Sequence, residues 1–573
     1  MATFHLGNIS RRGLIASALL AGLVGCGGDD NAPRLTAGAV SSPNSFGAQA
    51  AKQILDLGGN AVDAGVAVAF ALAVTLPSAG NIGGGGFMTM YMEGKPYFID
   101  YREKAPGAAT PTMYLDAKGD VIPRLSLDGS LAAGVPGTVA GMQAAHEKFG
   151  RLQWSEVLAP AIGYARNGFV AYATADATST PSRVNFNNYF GGKMVKGQLF
   201  KQPELADTLQ RISANGADEF YKGKTADLLV AQMGRTSGLI SKADLANYKA
   251  VWRDPVAINW NGHMVYTAPP PSSGGFGIGQ LLKMKSFLAP QYASAPLNSA
   301  QYMHLTAEME KRVFADRAQY LGDSDFFKVP MKELLADDYL RRRAAEVNPL
   351  VPTPLANVKP GLGTDFPAAA SAVEKLQTTH FSIVDKWGNA VSNTYTLNGG
   401  YGSGIVVEGA GFLLNNEMDD FAAKPGVPNQ FGVVGSDANS VQPNKRPLSS
   451  MSPTIATKDG KVALVLGTPG GSRIFTSVYQ VLVDVLDYKL PIAEAQAQPR
   501  FHHQLLPDNV IEYEAGKYPD SVIADLAGRG WIMKAGVSGG LNIEAVQVVG
   551  DTPVPVTDPR SPNGLALVVL PVR

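Results

Sequence analysis

Two hydroxyl side chains meet at the open end of a predicted hairpin about two-thirds of the way along the chain. The segment QTTHFSIVDKWGNAVSNTYTLN contains Thr378 near its start and Thr396 and Asn398 at its end. TTHFSIV alternates as a strand does, DKWGNA is a turn signal, and AVSNTYTL returns as a second strand. If Asp385 pairs with Ala390, the threonine that opens the hairpin faces the threonine and asparagine that close it. Register could shift by one or two residues without separating them.

A threonine needs a base before its hydroxyl can act as a nucleophile. His380 lies on the same predicted strand, on the same side as Thr378 but about two residues further along, so its reach is poor. His502 and His503 are candidates, although a histidine in an apolar segment is more often structural. Cleavage of the bond after Gln377 would instead free the threonine α-amine, whose unperturbed pKa of about 7.7 to 8.0 suits a base at neutral pH. Nucleophile and base would then belong to one residue.

A second predicted hairpin repeats the arrangement within a hundred residues. The segment PLSSMSPTIATKDGKVALVLGTPGGSR has an Asp-Gly turn at 459–460, which is a strong two-residue hairpin signal. Pairing of Lys458 with Lys461 places Ser449 opposite Gly470 and Ser450 opposite Pro469. Bare glycines leave backbone N–H groups exposed, as an oxyanion-binding site requires. The two open ends together indicate acyl-transfer chemistry.

Upstream, the pattern alternates strands with helices from Leu35. NAVDAGVAVAFALAVTLP is nearly uncharged, but Asp63 and the many small residues favour a helix buried between layers over a membrane span. The run Gly83–Gly86 is followed by a strand pattern, whereas a phosphate-binding loop needs a helix there. We therefore expect these glycines to allow close backbone approach rather than to bind a nucleotide. Residues 150–350 are expected to be largely helical.

The composition gives no support for a nucleic-acid or anionic-membrane partner and leaves no intrachain disulfide. The chain has 573 residues, of which 45% are apolar and 17% charged, below the roughly 25% charged of typical soluble domains. Lysine plus arginine equals aspartate plus glutamate at 49 each, so nothing favours nucleic acid as a partner. The single cysteine excludes a disulfide within one chain.

The N-terminus has the layout of an export signal. Two arginines at 11–12 precede an apolar run at 14–24 that is short for a membrane span, and Cys26 follows in LVGC, which resembles a bacterial lipobox. We expect residues 1–26 to be a signal peptide whose cysteine is lipidated, and 27–34 to be a tether. The protein would be exported, periplasmic and lipid-anchored to a membrane. A plain cleaved signal is the alternative, and the export route stays open.

Several motifs together resemble one enzyme family. QTTHFSIVD, LLNNEMDDF, PNKRPLSSMSPT and GTPGGSR, preceded by GGNAVDAGVA, IGGGGFM, YREKAP, GVPGTVAG and YTAPPPSSGG, resemble the γ-glutamyltranspeptidase family from about Val40 to Arg560. The resemblance implies an N-terminal-nucleophile hydrolase, a four-layer αββα sandwich made as one chain. It also implies self-cleavage into a large subunit, 35–377, and a small subunit, 378–573, which form a heterodimer. It implies no metal and no organic cofactor.

The same resemblance implies a role for each candidate residue. Thr378 would be the nucleophile and, with Gln377, the processing site, while Thr396 would hydrogen-bond its amine and hydroxyl. Gly470 and Gly471 would form the oxyanion hole. The implied substrate-binding residues are Arg102, Ser449 and Ser450 for the α-carboxylate, and Asn398, Glu417 and Asp420 for the α-ammonium.

Two positions vary from the pattern of some bacterial relatives. Glu417 stands where some members have glutamine and others glutamate, so ammonium binding should persist. Phe431 stands where several relatives carry a lid tyrosine, and a phenylalanine cannot donate the hydrogen bond that such a lid makes to Asn398. The lid is therefore expected to close less tightly, and donor or acceptor preference to differ.

The implied activity is transfer of the γ-glutamyl group of glutathione or other γ-glutamyl compounds, through an ester on Thr378, to water, amino acids or peptides. One alternative is a cephalosporin or glutaryl acylase of the same superfamily. Such substrates lack the α-amine, which would leave Asp420 without a partner. Another alternative is a non-catalytic periplasmic glutathione-binding protein, which predicts an uncleaved chain and gives the threonines no reason to be together.

Overall fold

The computed structural model describes residues 34–363, 378–536 and 541–571. The predicted signal peptide with Cys26, the tether up to residue 33 and the processing-site residue Gln377 lie outside the described residues. Thr378 is the first described residue of its segment and stands directly before a strand.

Most strands belong to two antiparallel sheets. In chain order, the strands are β1 Gly38–Ser42, β2 Gly85–Met92, β3 Lys95–Asp100, β4 Phe169–Val170, β5 Leu199–Phe200, β6 Val251–Arg253, β7 Val256–Trp260, β8 His263–Thr267, β9 Thr379–Val384, β10 Ala390–Thr396, β11 Thr454–Lys458, β12 Lys461–Gly467, β13 Phe501–His502, β14 Val510–Tyr513, β15 Ile532–Ala535, β16 Glu544–Val549, β17 Thr552–Thr557 and β18 Leu565–Val569. The first sheet has the order β18-β1-β9-β10-β2-β3-β6, and the second has the order β17-β16-β12-β11-β8-β7.

Helices connect and cover the sheets. They are α1 Ser45–Asp56, α2 Ala61–Thr75, α3 Thr138–Phe149, α4 Trp154–Asn167, α5 Phe186–Tyr189, α6 Pro203–Asn215, α7 Ala217–Tyr221, α8 Lys224–Arg235, α9 Lys242–Asn247, α10 Gly274–Phe287, α11 Ala289–Ala293, α12 Ala300–Tyr320, α13 Met331–Leu334, α14 Asp337–Ala345, α15 Ile474–Leu486, α16 Ile492–Ala497 and α17 Asp520–Arg529.

The two sheets face each other and are covered by helices on both outer sides. Helices α1 and α2 pack on the first sheet, whereas α10, α15 and α16 pack on the second. Strands β9 and β10 of the first sheet contact β12 of the second. A large apolar cluster lies on the helical side of each sheet. The described residues therefore form the predicted αββα sandwich.

Hydroxyl groups join the sheets at their interface. Ser382 donates to the carbonyl of Glu544 at 2.9 Å, and Ser392 donates to the carbonyl of Leu466 at 3.0 Å. Thr89 donates to the carbonyl of Pro453 at 2.7 Å. Because buried hydroxyls are stable only when hydrogen-bonded, these contacts fix how one sheet sits on the other. The two predicted hairpins are thereby held in one orientation.

The register of the first hairpin differs from prediction by one residue. Ala390 pairs with Val384 rather than with Asp385, whose carboxylate instead accepts backbone N–H groups within the turn and the N–H of Ala61 at 3.0 Å. Tyr395 faces Thr379, so the residue before this pair still lies at the predicted open end. The carboxylate of Asp385 thus links the hairpin to the start of α2, and Asp385 itself lies in the turn rather than in the strand pairing.

The second hairpin begins as predicted and then shifts. Lys458 pairs with Lys461 across the Asp-Gly turn, but a bulge between Ala456 and Thr457 moves the remaining pairs by one residue. A bulge increases local twist and redirects the end of a strand. This bulge lies in the second hairpin between its turn and Ser449 and Ser450.

The helix that might be mistaken for a membrane span is buried in the protein, as predicted. Every residue of α2 is buried, and Asn60 with Asp63 forms a capping box at its start. Within the described ranges, no helix is both long and apolar enough to cross a membrane. Residues 150–350 are largely helical, as expected, but they also contain five strands that were not predicted, β4 to β8. The Asn261-Gly262 pair that joins the last two is itself a strong hairpin signal.

Candidate active site

The residues expected to form a site meet in one open pocket, whose empty space is about 340 Å³ when solvent at its mouth is included. It lies at the open ends of both hairpins. The predicted residues lining it are Arg102, Thr378, Thr396, Asn398, Glu417, Asp420, Phe431, Ser449, Ser450 and Gly471. Gly470 directly precedes the last of these in the chain.

The two threonine hydroxyls are in contact. Thr378 Oγ1 donates to Thr396 Oγ1 at 3.3 Å, and Thr396 Oγ1 also accepts the backbone N–H of Asn398 at 2.7 Å. Asn398 has a positive φ of 75°, which turns the chain sharply after β10. Asn81 holds the carbonyl of Thr396 at 2.8 Å. The partner of the candidate nucleophile is therefore fixed by both backbone and side chain.

Close backbone packing supports this end of β10. A Cβ atom at Gly84 would collide with the carbonyl oxygen of Thr396 and with Asn81. The glycine run therefore allows close approach, as predicted, because any larger residue would push the Thr396 strand end away.

The histidines weighed as bases are structural. His380 contacts Thr394 Oγ1 at 2.8 Å and Ser382 Oγ at 3.0 Å, and burial lowers its pKa to about 3. Burial lowers the pKa of His502 to about 4 and that of His503 well below its usual value. None of the three lines the pocket beside Thr378. Each is neutral near pH 7 and is used in packing between elements.

The glycine pair lies in a tight turn between β12 and α15. Gly470 has φ of 142° and Gly471 has φ of 55°, both in the region that favours glycine. Among the described residues, neither N–H group donates a hydrogen bond. The partial positive charge at the start of α15 adds to the local potential. These two free donors suit an oxyanion, as the sequence indicates.

Arg102 follows β3 and is completely buried. Its backbone N–H donates to Asp100 Oδ1 at 2.9 Å. Its guanidinium donates to Glu417 and, at 2.5 Å, to Asp420 Oδ2. The carbonyl of Pro447 accepts from Nε at 3.2 Å. The fork geometry of arginine allows this simultaneous contact with several acceptors.

The carboxylates around Arg102 outnumber it. Glu103 Oε2 lies 3.6 Å from the guanidinium, in addition to the contacts of Glu417 and Asp420. Burial raises the pKa of Glu103 to about 7 and raises those of Glu417 and Asp420. Within the described residues, both carboxylate oxygens of Glu103 and one carboxylate oxygen of Glu417 lack a hydrogen-bond partner. This end of the pocket therefore favours an added cation.

The serine pair is held by the proline-rich loop before α10. Ser449 N–H donates to the carbonyl of Pro271 at 2.8 Å, and the N–H of Ser273 donates back to the carbonyl of Ser449. Ser450 Oγ lies 3.4 Å from Ser273 Oγ and 3.3 Å from Arg317 Nη2. Sequence reasoning missed Arg317, which lines the same pocket.

Phe431 lies on the loop that follows Asp420 and lines the pocket. Its N–H donates to Asn429 Oδ1 at 3.0 Å, and Gln504 donates to its carbonyl at 2.9 Å. Asn429 in turn donates to Asp420 Oδ1 at 3.2 Å. The phenylalanine loop is thus linked directly to a carboxylate of the pocket.

No group of three or more histidine, cysteine, aspartate or glutamate residues in the described ranges is placed to hold a metal ion.

The αββα sandwich, with Thr378 placed directly before a central strand, defines an N-terminal-nucleophile hydrolase fold. The family described as gamma-glutamyltranspeptidase matches residues 47–568. The chain is 56% identical to a Pseudomonas aeruginosa glutathione hydrolase proenzyme, over 94% of this chain and 96% of that one. It is 48% identical to an Escherichia coli protein of the same name, over 85% of this chain and 84% of that one. The chain belongs to the γ-glutamyltranspeptidase family.

A solved structure supports the same assignment. A γ-glutamyltranspeptidase from Pseudomonas nitroreducens is 55% identical in sequence and has a TM-score of 0.55. The alignment covers 57% of this chain and all of that one.

Proposed function

We propose that the protein cleaves γ-glutamyl amide bonds through an ester on Thr378 and transfers the acyl group to water, amino acids or small peptides. Glutathione and related γ-glutamyl compounds are the proposed donors. The observation that carries the proposal is one pocket holding a paired threonine at one end and a buried arginine among carboxylates at the other. This pocket supports the proposal because it would hold a reactive hydroxyl at a fixed distance from a site that recognises an amino acid.

The chemistry requires cleavage between Gln377 and Thr378. The freed α-amine takes the hydroxyl proton as Thr378 Oγ1 attacks the γ-carbonyl carbon, and that proton passes to the departing nitrogen. The N–H groups of Gly470 and Gly471 stabilise the oxyanion, and Thr396 orients the nucleophile. Water or an amine then attacks the ester and restores the threonine. The products of processing are a large subunit, 35–377, and a small subunit, 378–573, which stay together as a heterodimer.

Recognition of the glutamyl α-ammonium is favoured by the charge balance of the pocket. Two buried carboxylates, Glu103 and Glu417, and the partly exposed Asp420 surround Arg102, so a substrate that brings a cation reduces an acidic excess. Asn398, Glu417 and Asp420 are the proposed ammonium ligands, while Arg102, Ser449 and Ser450 receive the α-carboxylate. A glutaryl substrate has no cation to offer, and burying the carboxylates uncompensated is costly. This favours a glutamyl transferase over a glutaryl or cephalosporin acylase.

Phe431 is proposed as a lid residue that excludes water by packing rather than by a hydrogen bond to Asn398. Its apolar ring lines the pocket, and the loop that carries it is fixed through Asn429 and Gln504. A lid without that bond should open more readily, which would favour larger acceptors.

Export to the periplasm and lipidation at Cys26 are proposed from the N-terminal pattern alone. Incorporation of labelled palmitate into the wild type, but not into Cys26→Ser, would support the anchor. A wild-type protein that takes up no label while reaching the periplasm would refute it.

The substrate assignment is tested with paired anilides. Wild-type protein should release aniline from γ-glutamyl anilide much faster than from glutaryl anilide, which differs only in lacking the α-ammonium. Equal rates would overturn the glutamyl assignment. A protein that binds glutathione but turns over neither anilide would instead indicate a binding protein.

A further inference from the structure

Arg317 is a buried arginine in the last turn of α12 whose guanidinium faces the active-site pocket. Its residue is only 6% exposed, yet it lines the pocket. Nε donates to Ser273 Oγ at 3.0 Å, and Nη2 donates to Ser450 Oγ at 3.3 Å. Among the described residues, no carboxylate lies within 4.0 Å of this guanidinium. Its charge is therefore hydrogen-bonded to two hydroxyls, and the carboxylate of Asp420 acts on it only from beyond ion-pair distance.

Other buried arginines of the chain are paired. Arg312 contacts Glu308 at 2.9 Å, Arg343 contacts Asp316 at 3.2 Å, and Arg500 contacts Asp558 at 2.9 Å. An isolated buried charge is costly, and burial lowers the pKa of Arg317 to about 10. A buried arginine that has no carboxylate in direct contact, at the edge of a pocket, suits an anionic ligand that arrives from outside.

The contact with Ser450 directs the positive charge of Arg317 toward the pocket. Ser450 Oγ accepts from Arg317, so the serine's own hydrogen can be donated either to Ser273 Oγ at 3.4 Å or to a ligand in the pocket. Ser273 accepts from the other side of the guanidinium and donates to the carbonyl of Ser449 at 2.9 Å. One guanidinium thus orders both the hydroxyl and the backbone of the serine pair.

We propose that Arg317 is a positioning residue that makes the pocket selective for donors with a free α-carboxylate, acting through Ser450. The inference rests on the proposed function and deepens it. Arg102 is already bound by Glu417 and Asp420, so its charge is largely compensated before substrate arrives. Arg317 supplies the second positive charge. By donating to Ser450 Oγ, it polarises and orients the serine hydroxyl, which donates a hydrogen bond to the substrate carboxylate.

The test compares two donors in the processed enzyme. γ-Glutamyl anilide carries the α-carboxylate, and its α-carboxamide analogue does not. Arg317→Gln should raise KM for the carboxylate donor by about 10- to 100-fold, as expected for loss of a charge-assisted hydrogen bond, with a small change in kcat. KM for the carboxamide donor should change less than about threefold. Arg317→Lys should restore part of the preference, because it keeps the charge.

A purely structural role predicts a different result. If Arg317 only supports the loop, both donors lose activity by the same factor, and the inference is wrong. If Arg317→Gln is not processed, Arg317→Lys decides, since it must lower the carboxylate-to-carboxamide ratio in the wild-type background and must lower it no further in a Ser450→Ala background. A ratio that Arg317→Lys leaves unchanged in the wild-type background, or lowers equally in both backgrounds, refutes the inference. If the wild type turns over neither donor, the proposed function itself has failed.

Discussion

Replacing Asp420 with asparagine tests how the pocket recognises an amino acid. The substitution keeps the shape of the side chain and removes its charge. Asp420 Oδ2 accepts from Arg102 at 2.5 Å and Oδ1 accepts from Asn429 at 3.2 Å, so an amide places an N–H₂ group against one of two donors. The variant therefore loses the proposed ammonium ligand and disturbs the guanidinium beside it.

The size of the effect follows from the burial of the carboxylate, whose side chain is 12% exposed. Removing one partner of a buried charge pair costs about 2 to 5 kcal/mol, which is roughly a 30- to 4,000-fold fall in kcat/KM at about 1.4 kcal/mol per tenfold. This loss applies to γ-glutamyl anilide. Glutaryl anilide brings no ammonium, so its kcat/KM should fall much less or rise.

The assay is aniline release from both substrates by wild type, Asp420→Asn and a matched control. Asp419→Asn removes the neighbouring charge, but Asp419 accepts from Ser126 at 2.6 Å and from the N–H of Gln430 at 3.0 Å, and it does not line the pocket. The control should keep the wild-type ratio of the two rates. If Asp420→Asn lowers both rates by the same factor, the residue does not read the ammonium and this reasoning fails.

Three further outcomes are expected. Thr396→Val should lower kcat by about 10- to 100-fold by removing the acceptor of the nucleophile's hydrogen bond, whereas Thr396→Ser should retain most activity. Burial raises the pKa of Glu544 from 4.5 to about 8, so the folded protein holds a proton that the unfolded chain releases, and stability falls as pH rises through this window. The Tm of Glu544→Gln minus that of the wild type should therefore rise between pH 5 and pH 8, and a flat difference would contradict it. Gly84→Ala should destabilise by about 1 to 3 kcal/mol and impair turnover, while Gly163→Ala, in open space on α4, should stabilise by about 0.5 to 1 kcal/mol in denaturant unfolding.

The candidate site could be predicted from sequence because its parts lie at hairpin ends. A two-residue turn and a period of two fix which residues face each other, and an error of one residue in register still left Thr378 beside Thr396. The contact of Glu417 and Asp420 with Arg102 could be predicted only through the family resemblance, because Arg102 lies more than 300 residues before them in the chain.

Other features depend on tertiary contacts that local pattern does not encode. Arg317 lies in an α-helix with charged residues on every side, and nothing in its spacing distinguishes it from the paired Arg312. The bulge in the second hairpin follows no turn signal. The strands at 256–267 did carry a signal, the Asn-Gly pair, which the helical expectation for the surrounding segment overrode.

The central claim is that the chain is cut before Thr378 and that the freed α-amine serves as the base. It is tested most directly by denaturing mass spectrometry with N-terminal sequencing of active protein, alongside Thr378→Ala as the control. We expect two chains in the wild type, the smaller beginning Thr-Thr-His, and one inactive, uncut chain in the variant. Turnover of γ-glutamyl anilide by wild-type protein whose bond between Gln377 and Thr378 is intact would contradict it.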